Sequence, residues 1–283
     1  MKIAVTGANG QLGRIVIEQL KQRMDASNIV ALVRSLDSAK DLGVEARTFD
    51  YNKSELLEGA LQGVDRLLLI SGSEIGQRTQ QHVNVINAAK LAGIDWIVYT
   101  SLLHVDTSSL NLAGEHIETE KALKESGLTY TILRNGWYSE NYTASIPGAL
   151  NGGAFLGSAG DGQIASAARA DYAEAAAIVI ADDAHKGKVY ELAGDTAYTL
   201  TELAKEISVQ AEREIPYNNI PEEQYANILL SVGLPEGLAG GLASWDVSAS
   251  KGDLFDDSKQ LSQLLGRATT RIAESVKSVL QNQ

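Results

Sequence analysis

Three glycines at fixed spacing, Gly7, Gly10 and Gly13, stand directly behind the apolar run Ile3-Ala4-Val5. The residues that follow, Leu12, Ile15, Val16, Ile17 and Leu20, form one apolar helical face. A strand that ends in a tight glycine turn and opens a helix places unpaired helix N-terminal amides at the turn. The positive end of the helix dipole lies there too, so a pyrophosphate can sit on it. Glycine suits these positions because a Cβ would block either the turn or the approach of backbone to phosphate. The spacing is G-x-x-G-x-x-G rather than G-x-G-x-x-G. Gly7, Ala8, Asn9, Gly10, Gln11 and Leu12 are therefore the candidate cofactor cradle.

Short β-rich runs alternate with amphipathic stretches over the first 135 residues. Strands are expected at Ile3–Val5, Ile29–Val33, Ala46–Phe49, Arg66–Ile70, Trp96–Tyr99 and Tyr130–Leu133, with helical stretches between them. Gly43, Gly63, Gly93 and Gly127 each fall between a helical pattern and a strand, where a left-handed residue ends a helix. This alternation predicts an α/β fold, a Rossmann-type doubly wound parallel sheet with a smaller, mostly helical C-terminal lobe. Residues 1–136 are expected to form the nucleotide-binding domain, with a segment near 165–195 returning to it. Residues 137–164 and 196–283 are expected to form the substrate-side lobe. Six glycines between 139 and 165 argue against regular packed structure throughout that stretch. A helix is expected over Tyr172–Ile180, a strand at Val189–Leu192 and a capping box at Thr199-Leu200-Thr201-Glu202. The segment 216–241 reads as broken helix, and a last helix runs from about Arg271 to Leu280.

A net charge of −12 would repel nucleic-acid backbones, and no basic patch offsets it. The chain has no cysteine, which excludes disulfides, thiolate metal sites and cysteine nucleophiles, and no metal site is expected. Strand one starts at Lys2, ahead of which a signal peptide has no room, and the apolar runs are too short to span a membrane. The expectation is a cytoplasmic protein with no nucleic-acid or membrane partner.

Strand two ends in Arg34, where NAD-specific domains usually offer a carboxylate to the ribose. A guanidinium there suits a 2′-phosphate, which predicts NADPH as cofactor. Asp37, three residues on, is expected to cap a short helix over Ser38–Leu42. Strand four ends in Ser71-Gly72-Ser73, whose small residues admit the cofactor's ribose or nicotinamide side. The helix after strand five lacks the Tyr-x-x-x-Lys pair of many reductases of this architecture. It offers His116 and Glu120 instead, four apart on one face. They are candidate catalytic residues, and an exposed surface pair is the competing reading. His104 is a further possible proton donor. Without a tyrosine acid the site suits a quinone or cationic dye, whose reduced product is a weak base that water can protonate. Trp137, Tyr138 and Tyr142 would give a flat acceptor a stacking surface, with Tyr138 a third candidate catalytic residue.

These residues resemble the NmrA-like, atypical short-chain dehydrogenase/reductase family. The resemblance runs almost end to end and is most specific at Thr6–Gly13, Tyr99–Asp106, Glu115–Lys121, Leu133–Tyr142, Ala165–Tyr172 and Gly252–Ser258. It implies NADPH held by the Gly7–Leu12 loop, Arg34 on the 2′-phosphate, and Ser73, Glu74 and Ile75 beside the cofactor. It further implies contacts from Trp137, Tyr138, Ser139, Glu140, Asn141, Tyr142 and Arg169, and hydride transfer to a quinone-like small molecule without flavin. The proton donor stays open, and assembly as a homodimer is admitted. Two other readings remain: an NADP(H)-binding redox sensor without turnover, and a reductase of dyes, azo compounds or enones.

Overall fold

The chain begins with strand β1 (Ile3–Thr6), all four residues buried, followed by helix α1 (Gln11–Lys21). The computed structural model describes residues 1–282. Alternation continues through β2 (Ile29–Val33), β3 (Glu45–Thr48), α2 (Ser54–Ala60), β4 (Arg66–Leu69), α3 (Arg78–Leu91), β5 (Trp96–Leu102), α4 (Ala113–Ser126) and β6 (Thr129–Asn135). Then come α5 (Ser139–Thr143), α6 (Ile146–Gly152), β7 (Phe155–Gly157), α7 (Arg169–Ala181) and β8 (Val189–Leu192). The remainder is α8 (Leu200–Gln210), β9 (Tyr217–Asn219), α9 (Glu222–Ser231), α10 (Glu236–Ser250), α11 (Gln260–Leu265) and α12 (Ile272–Gln281).

Seven strands form one sheet in the order β3-β2-β1-β4-β5-β6-β8. The pairs from β3 through β6 are parallel, with Val5 opposite Ala31 on one side and Leu68 on the other. Chain order reverses between β1 and β4, and in open α/β sheets ligands bind outside the carboxyl ends of the strands at such a reversal. The left-handed glycines fall where the sequence places them, at φ 66° for Gly43, 72° for Gly63, 73° for Gly93 and 79° for Gly127. No helix of the described residues is long and apolar enough to cross a membrane.

The chain divides into two compact units. The first comprises Met1–Asp106, Leu112–Asn135 and Ala170–Glu191; the second comprises Thr107–Asn111, Gly136–Arg169 and Leu192–Gln283. In the second unit β7 and β9 pair in parallel, Leu156 opposite Asn218. The capping box is complete: the Thr199 hydroxyl accepts from the Glu202 amide and Glu202 accepts from the Thr199 amide.

Two local expectations are corrected. The turn after β2 is a short 3-10 helix over Leu36–Ala39 with Ser35 at its cap position, and Asp37 instead pairs with Lys40 at 2.7 Å on the surface. As expected, the glycine-rich stretch 139–165 is not regular throughout: α5, α6 and β7 occupy its first part, and residues 158–165 lie outside any helix or strand. Two of its glycines serve close approach. A Cβ on Gly157 would press on the Asp246 carboxylate and Leu200, and one on Gly162 would collide with the Ala249 carbonyl. Tyr217–Asn219, expected as broken helix, is a strand because β7 offers it a partner.

Helices α3 and α4 bring two histidines under the first unit's sheet edge, His82 with no exposure and His116 at 5%. Burial pushes both imidazoles down to about 3, with the Arg78 guanidinium adding to the effect. Both rings are therefore neutral in the folded protein, whereas the unfolded chain takes up protons near pH 6.5. Stability is then lost as pH falls from about 6.5 toward 3, by about 2 kcal/mol for each histidine at pH 5. Buried Asp246, pushed up to about 6, opposes this, since its folded carboxyl holds a proton longer than the unfolded one. Chemical denaturation at pH 7 and pH 5 should show the net loss, and His82→Gln should remove about 2 kcal/mol of it. An unchanged pH dependence in His82→Gln would mean that His82 is protonated in the folded state.

Candidate active site

A groove of about 270 Å³ opens at the carboxyl ends of the first unit's strands. Gly7, Asn9, Gly10, Gln11, Leu12, Arg34, Ser71, Ser73 and Glu74 line it. Of the sequence-derived cradle, only Ala8 is absent from the lining, because it is fully buried beneath the loop. Gly7 takes φ 56°, where a Cβ is strained, and its carbonyl accepts from the Gly10 amide at 2.8 Å. A Cβ on Gly13 would collide with the Gly7 carbonyl and Ala8 Cα, so glycine lets α1 start against the end of β1. The Arg14 amide donates back to Gly10 at 3.0 Å. The amides of Gln11, Leu12 and Gly13 precede that bond and have no helical acceptor. No side chain caps α1 and no acid lies in its first turn, which leaves the helix end suited to an anion.

The opposite wall is the Ser71-Gly72-Ser73 turn, fixed by Thr6 and Thr100, which fall in stretches the sequence singles out, and by Tyr51, His82 and Arg78. Ile70 N–H donates to Thr6 Oγ1, Ser71 N–H to Thr100 Oγ1 and Gly72 N–H to His82 Nε2, all at 2.9 Å. Tyr51 donates to the Ile70 carbonyl at 2.9 Å and Arg78 to the Gly72 carbonyl at 2.7 Å. His82 is neutral, so accepting at Nε2 puts its proton on Nδ1, facing Thr119 Oγ1 at 2.9 Å. Thr119 in turn donates to the Glu115 carbonyl at 2.8 Å. Five side chains from three elements and a loop thus hold three consecutive residues. Their joint role is not written locally, and only the fold brings them together.

Arg34 projects from the tip of β2 with its side chain 75% exposed, and Glu74 stands opposite at 3.4 Å. Ile75 is also exposed, at 53%, and lies outside the groove lining. Arg14 ties the glycine cradle to the turn after β2, donating to the Asn9 carbonyl at 3.1 Å and the Ser38 carbonyl at 2.8 Å.

His116 and Glu120 share a face of α4, but that face is buried rather than an exposed surface pair. Glu120 accepts from Ser101 Oγ at 2.7 Å and from Arg134 Nε and Nη2 at 3.0 and 2.8 Å. Arg134 also meets Asp106 at 2.8 Å and Glu191 at 2.9 Å. A carboxylate so engaged is a structural counter-ion. His116 Nδ1 lies 2.7 Å from the Tyr99 hydroxyl, so Nε2 is the ring position left for a ligand. His104 takes φ 49° in the loop after β5, beside Glu191 at 3.8 Å.

The remaining candidates lie in the second unit. Trp137 packs edge-on against Trp245 at 5.5 Å, and the Arg169 guanidinium lies 4.8 Å over the Tyr138 ring. Both Glu140 carboxylate oxygens accept from the Arg169 amide at 3.0 Å. Ser139 Oγ meets Ser166 Oγ at 3.0 Å, and the Asn141 amide donates to the Tyr138 carbonyl at 3.0 Å. The Tyr142 hydroxyl donates to Asp246 at 3.3 Å.

The glycine cradle that a Cβ would fill, together with a cation across from it, fits a phosphorylated dinucleotide. Comparison with known proteins agrees in family and fold. The chain is 61% identical to quinone oxidoreductase 2 of Escherichia coli over 277 residues, 97% of each chain. The solved NADPH-dependent quinone oxidoreductase of that organism, complexed with NADPH, superposes with a TM-score of 0.96 at 60% identity. That match covers 98% of this chain and 99% of the other. Triphenylmethane reductase of Citrobacter sp., complexed with NADP(H), superposes with a TM-score of 0.95 at 36% identity, covering 98% and 100%. The NmrA-like family pattern matches residues 1–276, and with a full-length relative at this identity the chain belongs to the NmrA-like family.

Proposed function

We propose that this protein is an NADPH-dependent quinone oxidoreductase, a cytoplasmic enzyme that reduces a quinone-like small molecule by two electrons without flavin. The observation that carries the reading is the uncapped N-terminus of α1 behind its glycine cradle, with Arg34 across the groove, in a chain 61% identical to a quinone oxidoreductase. The Gln11, Leu12 and Gly13 amides take the pyrophosphate, Arg34 takes the 2′-phosphate, and the pinned Ser71–Ser73 turn shapes the wall beside the ribose. When bound, NADPH supplies the hydride.

The chain's own part in the chemistry is orientation. His116 is neutral because burial holds its pKa at about 3, so it offers a hydrogen bond and not an imidazolium proton. Glu120 is committed to Arg134 and Ser101. A quinone needs no stronger acid, because the hydroquinone anion formed by hydride addition is a weak base that water protonates. In the second unit, half-buried Tyr138 and Trp245 are aromatic rings left for a flat acceptor to stack on, since Trp137 and Tyr142 are buried at 8% and 7% exposure. The redox-sensor reading has no such support, since the full-length relative at 61% identity is an oxidoreductase.

Two measurements test this. NADPH should bind more tightly than NADH by about 1.5 kcal/mol, roughly tenfold, the low end for a charged hydrogen bond at an exposed arginine. Arg34→Ala should erase most of that difference in a fluorescence titration; equal affinities in the wild type would remove Arg34 from the 2′-phosphate. His116→Ala should lower turnover of a benzoquinone at saturating NADPH by roughly tenfold or less, against ~10²–10⁴ for loss of a general acid. The wild-type rate should be flat from pH 6 to 9. A thousandfold loss with cofactor affinity intact would make His116 the acid.

A further inference from the structure

The feature that the cofactor reading leaves unexplained is an acid inside an anion site. Glu74 lines the same groove as the glycine cradle, and its Oε1 stands 3.4 Å from Arg34 Nη1. This carboxylate is not a wandering surface group. Its other oxygen, Oε2, accepts from Gln81 Nε2 at 2.9 Å, and Gln81 is itself buried at 3% exposure on α3. The Gln81 amide is shared with Asn52 Oδ1 at 3.2 Å, so the post that holds Glu74 is anchored to a second wall of the groove. Glu74 directly follows the turn whose Ile70, Ser71 and Gly72 amides are pinned by Thr6, Thr100 and His82. Glu74 is thus aimed at Arg34 by buried structure.

We propose that Glu74 sets the cofactor specificity of this site by competing with the 2′-phosphate of NADPH for Arg34. The proposal rests on the NADPH reading above. A phosphate that reaches Arg34 must draw the guanidinium from a carboxylate already hydrogen-bonded in place, and it comes to rest beside a like charge. NADH has no group to enter that contest. Glu74 therefore taxes NADPH selectively and keeps its preference over NADH below what Arg34 alone would give. The same carboxylate gives Arg34 a partner as the oxidised cofactor leaves, which favours release.

Titrating NADPH and NADH into wild type, Glu74→Gln, Arg34→Ala and the double variant, by fluorescence at fixed ionic strength, tests the competition. Glu74→Gln keeps the Gln81 contact through its amide oxygen, while it removes the charge and turns the acceptor facing Arg34 into a donor. It should tighten NADPH by about threefold to fivefold, the range of an exposed ion pair, and move NADH by less than about twofold. In the Arg34→Ala background the same substitution should give no such selective gain, because there is no guanidinium left to contest. NADPH affinity that is unchanged or weaker in Glu74→Gln overturns the proposal, the weaker case making Glu74 a cofactor acceptor. A gain that persists without Arg34 also overturns it, by reducing Glu74 to simple repulsion. With wild-type NADPH binding intact, these outcomes leave the cofactor reading standing; a wild type that binds no NADPH overturns both.

Discussion

The close approach of α1 to the end of β1 is the constraint on which the rest of the site depends. Gly13 has no room for a Cβ against the Gly7 carbonyl, and Gly7 itself sits in the left-handed region. Together they let a helix begin within a turn of a buried strand, so its free amides open into the groove instead of into bulk water. The reversal of strand order between β1 and β4 leaves space beside that helix end. A side chain at either glycine would move the helix start and with it the amide end that favours an anion in the groove.

Buried polar groups do the work of fixing the walls. The Ser71-Gly72-Ser73 turn has no regular structure to hold it, yet the amides of Ile70, Ser71 and Gly72 are met by Thr6, Thr100 and His82. An unmet buried amide costs about as much as several ordinary hydrogen bonds contribute net. The turn is therefore confined to one geometry. The Arg134–Glu120 pair plays the same part at the end of β6. Removing either partner would strand a buried charge, which ties Glu120 to the scaffold whatever its spacing from His116 suggests.

The sheet was readable because its signals are local. Apolar strands, amphipathic helices and glycines that end helices each lie within a few residues of the feature they specify. The cradle glycines and Arg34 were legible for the same reason, being fixed to the ends of β1 and β2. What Gly157 and Gly162 do was not legible, because Asp246 and Ala249 require them from nearly ninety positions away in the chain, and not their own turns. Strand β9 was missed likewise, since three residues become a strand only when β7 lies alongside.

By itself the sequence determined the order of strands through β6, the site of the helix dipole and the charge at the tip of β2, all consequences of neighbouring residues and backbone sterics. The tertiary structure alone decided which side chains share an environment. It buried His116 and Glu120 instead of exposing them, gave His82 a place under the groove wall, and set Glu74 against Arg34. The physical reason is that burial and pairing depend on groups brought together from distant parts of the chain, and these fix whether an ionisable side chain is charged, neutral or spent on a partner.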